Sequence, residues 1–285
     1  MSGGTLEFTG ERFTPECVRE IRYEHWARYA FAFELARGKR VLDAACGEGY
    51  GSAMLAGSAT SVLGVDIAED AVAHARSRYG MQANLRFDRG DCTALDFAPG
   101  SFDLIVSFET LEHVAAQKEL IAGFARALTD DGILIVSSPD KRTYSDVSGF
   151  RNEFHVRELY REELLALLAP HFPQVRLFGQ KLLFQSAIWN LDCVPHTVAA
   201  ATLAESDTAA HAGLDYAPLY FIAVCSRRAL PELPNLALFG DRDESVYAHY
   251  NSEIRRLIAA DARIVELESE IGRLRDELAK SHIRR

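Results

Sequence analysis

The sequence predicts a doubly wound α/β fold, a seven-stranded and mostly parallel sheet with helices on both faces, followed by a C-terminal coiled-coil helix. Three observations carry that expectation. Short apolar runs alternate with segments of helical period from residue 40 to residue 180, and strands separated by helices of this length form parallel βαβ units. The first run ends in a Gly-rich turn, CGEGYGS, that opens a helix. From Tyr250 onward proline disappears and Glu, Arg, Leu and Ile dominate.

Each element has its own signal. YEHWARYAFAFELARG reads as a helix stopped at Gly38. RVLDAAC (40–46), SVLGVDI (61–67), LRFDRGD (85–91), FDLIVSF (102–108) and GILIVSS (132–138) are strand-length apolar runs. Between them YGSAMLAG, EDAVAHARSRYG and AAQKELIAGFARAL have helical patterning. REELLALLAPHF adds a helix, and VRLFGQ and LYFIAVCS (219–226) supply the last two strands. Residues 181–216 are less periodic and read as an insertion near the substrate side. The expected organisation is an arm and lid helix (1–37), a cofactor-binding domain (38–230), a Pro-bearing linker (231–249) and the coiled coil (250–285).

In the tail, Leu257, Ala260, Ile264, Leu267, Ile271, Leu274 and Leu278 follow the alternating 3–4 spacing of an a/d seam. That spacing points to a homo-oligomer, or to one amphipathic helix folded back on the domain. The heptads run nearly to residue 285, so the natural chain is expected to continue.

Composition narrows the partners. A hydrophobic share of 48% supports a full core. A net charge of −10 argues against a nucleic-acid surface, which is normally basic. The polar, acidic start has no signal-peptide core, and no apolar run reaches the roughly 20 residues of a membrane span. A cytoplasmic protein without a membrane span is expected. The five cysteines are scattered without a CxxC pair, which suggests neither a zinc knuckle nor a disulfide framework.

The chemistry starts at VLDAACGEGYGS. A strand ends in Asp43, and Gly47 and Gly49 permit a tight turn and close backbone approach before a helix. The spacing D-x-x-C-G-x-G departs from the G-x-G-x-x-G of nicotinamide-binding folds, which sets a dehydrogenase aside. Asp66 ends the second strand, where it can accept both ribose hydroxyls of an adenosine. Asp91 follows the third strand, within reach of an adenine amino group.

These residues resemble class I S-adenosylmethionine (SAM)-dependent methyltransferases, in particular the methyltransferase domain 11 type, over about residues 38–180. The resemblance implies that Asp43, Gly47 and Gly49 hold the methionine end of SAM. By it Asp66, with Ile67 beside it, takes the ribose; Asp91 and Cys92 border the adenine; and Ser107 and Phe108 close the site. Ala45 stands in the turn where the family commonly has its first glycine.

Methyl transfer to an alcohol needs the acceptor held in line and its proton removed, or its pKa lowered by a metal. ETLEHV offers Glu109, Glu112 and His113, which share a face if a helical turn begins there, and NEFHVREL offers His155. This ExxEH plus a later His is similar to the pattern of small-RNA 2′-O-methyltransferases and ubiquinone-pathway O-methyltransferases. There two carboxylates and two imidazoles hold a divalent cation. Mg²⁺ or Mn²⁺ is therefore the candidate ion; a mixed carboxylate and imidazole set suits Mn²⁺, Fe²⁺, Co²⁺ or Zn²⁺ better than Mg²⁺. Without a metal, His113 or His155 serves as general base.

The arm FTGERFTPE with YEHWARY is similar to the start of methyltransferases of bacterial polysaccharide synthesis, and Tyr23, His25 and Arg28 fall near one helix face as a cofactor lid. The leading expectation is O-methylation of a sugar hydroxyl on a surface glycan or glycosylated intermediate. The alternatives are a small-molecule methyltransferase of quinone or secondary metabolism, with a closed apolar pocket, and a coiled-coil assembly module.

Overall fold

A computed structural model of the chain describes residues 20–183, 185, 201–202, 211–240 and 244–283. The arm sequence FTGERFTPE and most of the 181–216 insertion lie outside the described residues. The chain divides into two compact units, one centred on residues 21–239 and one on residues 240–285.

Among the described residues of the first unit, nine strands and five α-helices alternate largely as the apolar pattern directs. The strands are β1 (Arg40–Ala44), β2 (Ser61–Asp66), β3 (Leu85–Arg89), β4 (Phe102–Ser107), β5 (Leu128–Pro139), β6 (Gln174–Gln180), β7 (Ala201–Thr202), β8 (His211–Ala212) and β9 (Tyr220–Ser226). The helices are α1 (Glu20–Leu35), α2 (Tyr50–Ala56), α3 (Glu69–Tyr79), α4 (Gln117–Ala127) and α5 (Arg161–Leu168). Seven strands form one mixed sheet in the order β3-β2-β1-β4-β5-β9-β6, and β7 and β8 pair separately. β1 pairs parallel with β2 and β4, β2 with β3, and β4 with β5; β9 runs antiparallel between β5 and β6.

Both faces of the sheet are covered, which is why its strands read as near-continuous apolar runs. Successive residues alternate between two cores. Val41, Leu104, Val106, Ile133 and Val224 pack with α1, α2 and α3 through Tyr29, Ala32, Leu55, Val72 and Ala75. Leu42, Ile105, Leu134 and Cys225 pack on the other face with α4 and α5 through Leu120, Phe124, Leu164 and Phe172 beyond α5. Strand order reverses between β1 and β4, so the crevice at their C-terminal ends is the place where a ligand fits such a fold.

Three local departures bear on the site. β1 stops at Ala44 rather than Cys46, because Ala45 turns to φ +62°. The helical turn expected from Glu109 is a three-residue 3-10 turn, Leu111–His113, and Glu109 stands before it at φ +50°. A π-helical turn, Arg142–Val147, follows β5 where no element is predicted.

The second unit is a single helix, α6 (Ser245–Ile283), of 39 residues, so the helix begins five residues before the expected coiled-coil boundary. Among the described residues no helix is long and apolar enough to cross a membrane.

Candidate active site

The β1–α2 turn brings the first group of residues together. Asp43 is buried at the end of β1, and its carboxylate accepts hydrogen bonds from Ser52 Oγ at 2.6 Å and Tyr29 Oη at 3.1 Å. Burial pushes the Asp43 carboxyl up to about 7; the two hydroxyls oppose that shift and the nearby Asp66 charge adds to it. Ala45, Gly47 and Gly49 all have positive φ, and a Cβ on Gly49 would stand 2.6 Å from the Phe87 ring. Only glycine fits there.

Asp66 ties this turn to β2. Its Oδ2 accepts from Gly47 N at 2.8 Å and its Oδ1 from Ala68 N at 2.9 Å. Ile67 beside it is exposed. Asp91 caps the short turn Cys92–Ala94 by accepting from Thr93 N and Oγ1, with Cys92 buried beneath. Ser107 ends β4 and Phe108 follows it; the Ser107 hydroxyl is buried without a hydrogen-bond partner among the described residues. The Phe108 ring meets Tyr29 edge-on at 5.0 Å.

A second group lies just past β4. Glu112, His113 and His155 offer ligand atoms that all lie within 4.8 Å of one another. Glu112 is 1% exposed, and neither of its oxygens has a hydrogen-bond partner among the described residues. Burial, and next the charge of Glu109, hold its carboxyl well above the usual range. A buried, unpaired carboxylate is costly unless a cation or donor meets it. His113 Nε2 stands 3.8 Å from Glu112 Oε1, and its Nδ1 lies 3.2 Å from the Phe154 carbonyl. The two imidazole rings meet edge-on at 4.8 Å.

Glu109 is the exception among the four expected ligands. Its Oε1 accepts from Ser137 Oγ at 2.6 Å and lies 3.5 Å from Arg28 Nη2. The one-face arrangement expected for Glu109, Glu112 and His113 does not form, because the left-handed backbone at Glu109 breaks the helical path.

Several functional neighbours carry no sequence signal. Glu158 Oε1 sits 2.6 Å from His155 Nδ1, and Ser145 Oγ donates to the other Glu158 oxygen. Asn152 Nδ2 lies 3.0 Å from His155 Nε2, and the Tyr144 ring stacks on His155. Carboxylate-held imidazoles of this kind are the usual outer support of a metal ligand. A Glu three residues after a His is the only clue the sequence could have given.

Arg28 links the lid helix to the same centre. It is 1% exposed, its Nε donates to Gln180 Oε1 at 2.7 Å, and its guanidinium lies 4.5 Å over the Tyr220 ring. His25 is held neutral, chiefly by burial and then by Arg28, and contacts the Tyr50 hydroxyl at 3.2 Å. Tyr23 packs on Phe239 instead, so these three lid candidates do not converge on one point. A cavity of about 940 Å³ opens beside this region, between α1, the start of α5 and β6. Asp140, Arg142, Tyr160 and Glu162 are on its wall, while the residues of the β1–α2 turn and the Glu112 cluster are not.

Comparison with known proteins agrees with the fold. Residues 35–169 match a family model described as "Methyltransferase domain". A Mycobacterium tuberculosis protein named "Probable S-adenosylmethionine-dependent methyltransferase" is 38% identical over 174 residues, 59% of this chain and 61% of its own. A ubiquinone biosynthesis O-methyltransferase of Idiomarina loihiensis is 33% identical over 123 residues, 42% of this chain and 50% of its own. The chain thus spans about three fifths or less of the length of these curated relatives. The crystal structure of the YcgJ protein of Bacillus subtilis is 19% identical and matches 72% of this chain and all of its own with a TM-score of 0.51, a likeness of fold. Over residues 35–169, this chain is thus similar to SAM-dependent methyltransferases in sequence and in fold.

Proposed function

We propose that the chain is a SAM-dependent O-methyltransferase acting on a sugar hydroxyl, with a divalent cation, Mn²⁺ or Mg²⁺, held by Glu112, His113 and His155. The observation that carries this reading is the Glu112 carboxyl, buried beside two imidazoles without a hydrogen-bond partner among the described residues. Glu109 is the fourth candidate ligand; it stands close enough to raise the Glu112 pKa while Ser137 engages its Oε1.

The residues divide the work. Asp43 and the Gly47–Gly49 backbone hold the methionine end of SAM, Asp66 and Ile67 the ribose, Asp91 and Cys92 the adenine edge, and Ser107 and Phe108 close the cleft. SAM supplies an electrophilic methyl, and a cation bound here would lower the acceptor hydroxyl's pKa. The acceptor oxygen forms its bond to the methyl as the carbon–sulfur bond breaks; with a cation bound its proton passes to solvent, and without one to Nε2 of His113 or His155. Glu158 fixes the His155 ring with Nδ1–H donating, which directs Nε2 as the ligand or base. Asn152 occupies that Nε2 in the structure and has to yield it.

The neighbouring cavity offers a hydroxylated acceptor Asp140, Arg142 and Glu162 as polar partners, on a wall otherwise rich in apolar side chains such as Phe31, Phe178, Leu183 and Phe239. The likeness to ubiquinone O-methyltransferases supports the second reading, a phenolic small-molecule acceptor methylated with a histidine base. We read α6 as the element that joins copies of the chain.

Titration with S-adenosylhomocysteine, with and without Mn²⁺, tests the centre. Asp66→Ala should weaken S-adenosylhomocysteine binding more than tenfold, about 1.4 kcal/mol. EDTA should abolish turnover and Mn²⁺ restore it. Full activity after exhaustive chelation leaves the histidine-base reading, and turnover of phenols but of no sugar moves the acceptor to the second class.

A further inference from the structure

The spacing in α6 assigns heptad letters without ambiguity. Leu257, Ile264, Ile271 and Leu278 take position a, and Ala260, Leu267 and Leu274 take position d. The six large residues of this seam are between 40% and 64% exposed. A stripe of that length and apolarity on a long helix stays in water only until a partner covers it.

The flanking charges say what that partner is. The g positions are Arg256, Arg263 and Glu270, and the e positions are Asp261, Glu268 and Arg275. In a parallel, in-register pair each g residue meets the e residue five places on in the second copy. That gives Arg256 against Asp261, Arg263 against Glu268 and Glu270 against Arg275, three pairs of opposite charge. Within its own chain, Arg256 pairs with Glu253, Arg263 with Glu266 and Glu270 with Arg273. Asp261, Glu268 and Arg275 make no ion pair among the described residues, so the e row is the row left for a second copy. Isoleucine at a with leucine at d, as in Ile264–Leu267 and Ile271–Leu274, selects two strands over three or four.

We infer that α6 pairs with α6 of a second copy as a parallel, in-register, two-stranded coiled coil. This rests on the reading of α6 as the element that joins copies, and it fixes strand number, direction and register.

The experiment is sedimentation of the full chain over a micromolar concentration series. The wild-type mass should approach twice 31.6 kDa. Reversing the g row (R256E, R263E and E270R together) turns every g–e pair into a like-charge pair and should return the mass to one chain. Reversing the e row (D261R, E268R and R275E together) should do the same. Mixing the two variants restores all complementary pairs in a heterodimer and should recover the doubled mass, which rules out misfolding as the cause. An antiparallel coil sets g against g and e against e, so row reversal leaves its charge products unchanged. A g-row variant that stays at two chains therefore overturns the parallel arrangement while association stands. A wild-type mass of three chains overturns the strand number, and a wild-type monomer throughout overturns both this inference and the reading it rests on.

Discussion

Glu158 Oε1 approaches Nδ1 of His155 to 2.6 Å, a charge-assisted contact that fixes which imidazole nitrogen can face Glu112. Removing it should leave the ring free to turn. Glu158→Ala should weaken Mn²⁺ binding by about 10–100-fold with S-adenosylhomocysteine binding unchanged, read by calorimetry. Equal Mn²⁺ affinities in the two proteins would show that Glu158 only supports the loop.

Glu112 makes the opposite demand on stability. Its pKa is raised in the fold, chiefly by burial, so the folded state binds a proton that the unfolded state releases. Stability contributed by the protonated form is therefore present at low pH and is lost as pH rises above the usual carboxylate range. In chelator at pH 8, Glu112→Gln should unfold at a higher temperature than the parent, by a ΔΔG of about 1–3 kcal/mol. The gap should close near pH 4. Adding Mn²⁺ should raise the melting temperature of the parent alone; an equal rise in both proteins removes Glu112 from the ligand set.

Asp43 titrates near neutrality, at about 7. Its raised pKa costs the empty protein stability as pH climbs from about 4 to 7, at most about 4 kcal/mol from a shift of that size. If its carboxylate holds the ammonium of the methionine end, S-adenosylhomocysteine affinity should fall about tenfold per unit below pH 7 and level off above it. Asp43→Asn should bind more than tenfold more weakly at pH 8 and lose that pH dependence. Calorimetry between pH 5.5 and 8.5 reads both; a flat parent profile rejects the assignment.

Two substitutions in the cofactor turn should have opposite signs. Ala45 holds φ +62°, where a Cβ costs energy, so Ala45→Gly should stabilise the protein by roughly 1 kcal/mol. Gly49→Ala meets the Phe87 ring and should destabilise it by about 1–3 kcal/mol and weaken cofactor binding. Denaturant unfolding of the two variants measures each. Loss of stability in Ala45→Gly would mean that the alanine methyl packs rather than strains.

The sheet and the glycine turn were legible because they depend on local order. An apolar run, a strand-end acid and a glycine turn lie within a few residues of one another, as Leu42, Asp43 and Gly47 illustrate. The second group was legible by type but not by geometry. Glu112, His113 and His155 converge, yet a single left-handed residue sends Glu109 towards Ser137 and Arg28. Partners reached across the fold, such as Tyr29 on Asp43 or Gln180 on Arg28, are 14 and 152 residues apart and have no periodic mark. The π-helical turn that carries Tyr144 and Ser145 to His155 and Glu158 was unreadable for the same reason.

The Tyr29 side chain does two things at once: its ring lies where a Cβ on Gly51 would overlap it, and its hydroxyl donates to Asp43. Burial keeps that phenol protonated, so it remains a donor to Asp43 at any pH the fold survives. α1 is therefore tied to the β1–α2 turn through, among others, a residue that senses the charge of Asp43. Linkage then works in both directions. A ligand that keeps Asp43 ionised strengthens the hold on the first helix, and loosening that helix weakens the ligand by the same factor. Amide exchange along α1 should accordingly slow when the cofactor cleft fills, although the helix stands outside the matched domain for nearly all its length.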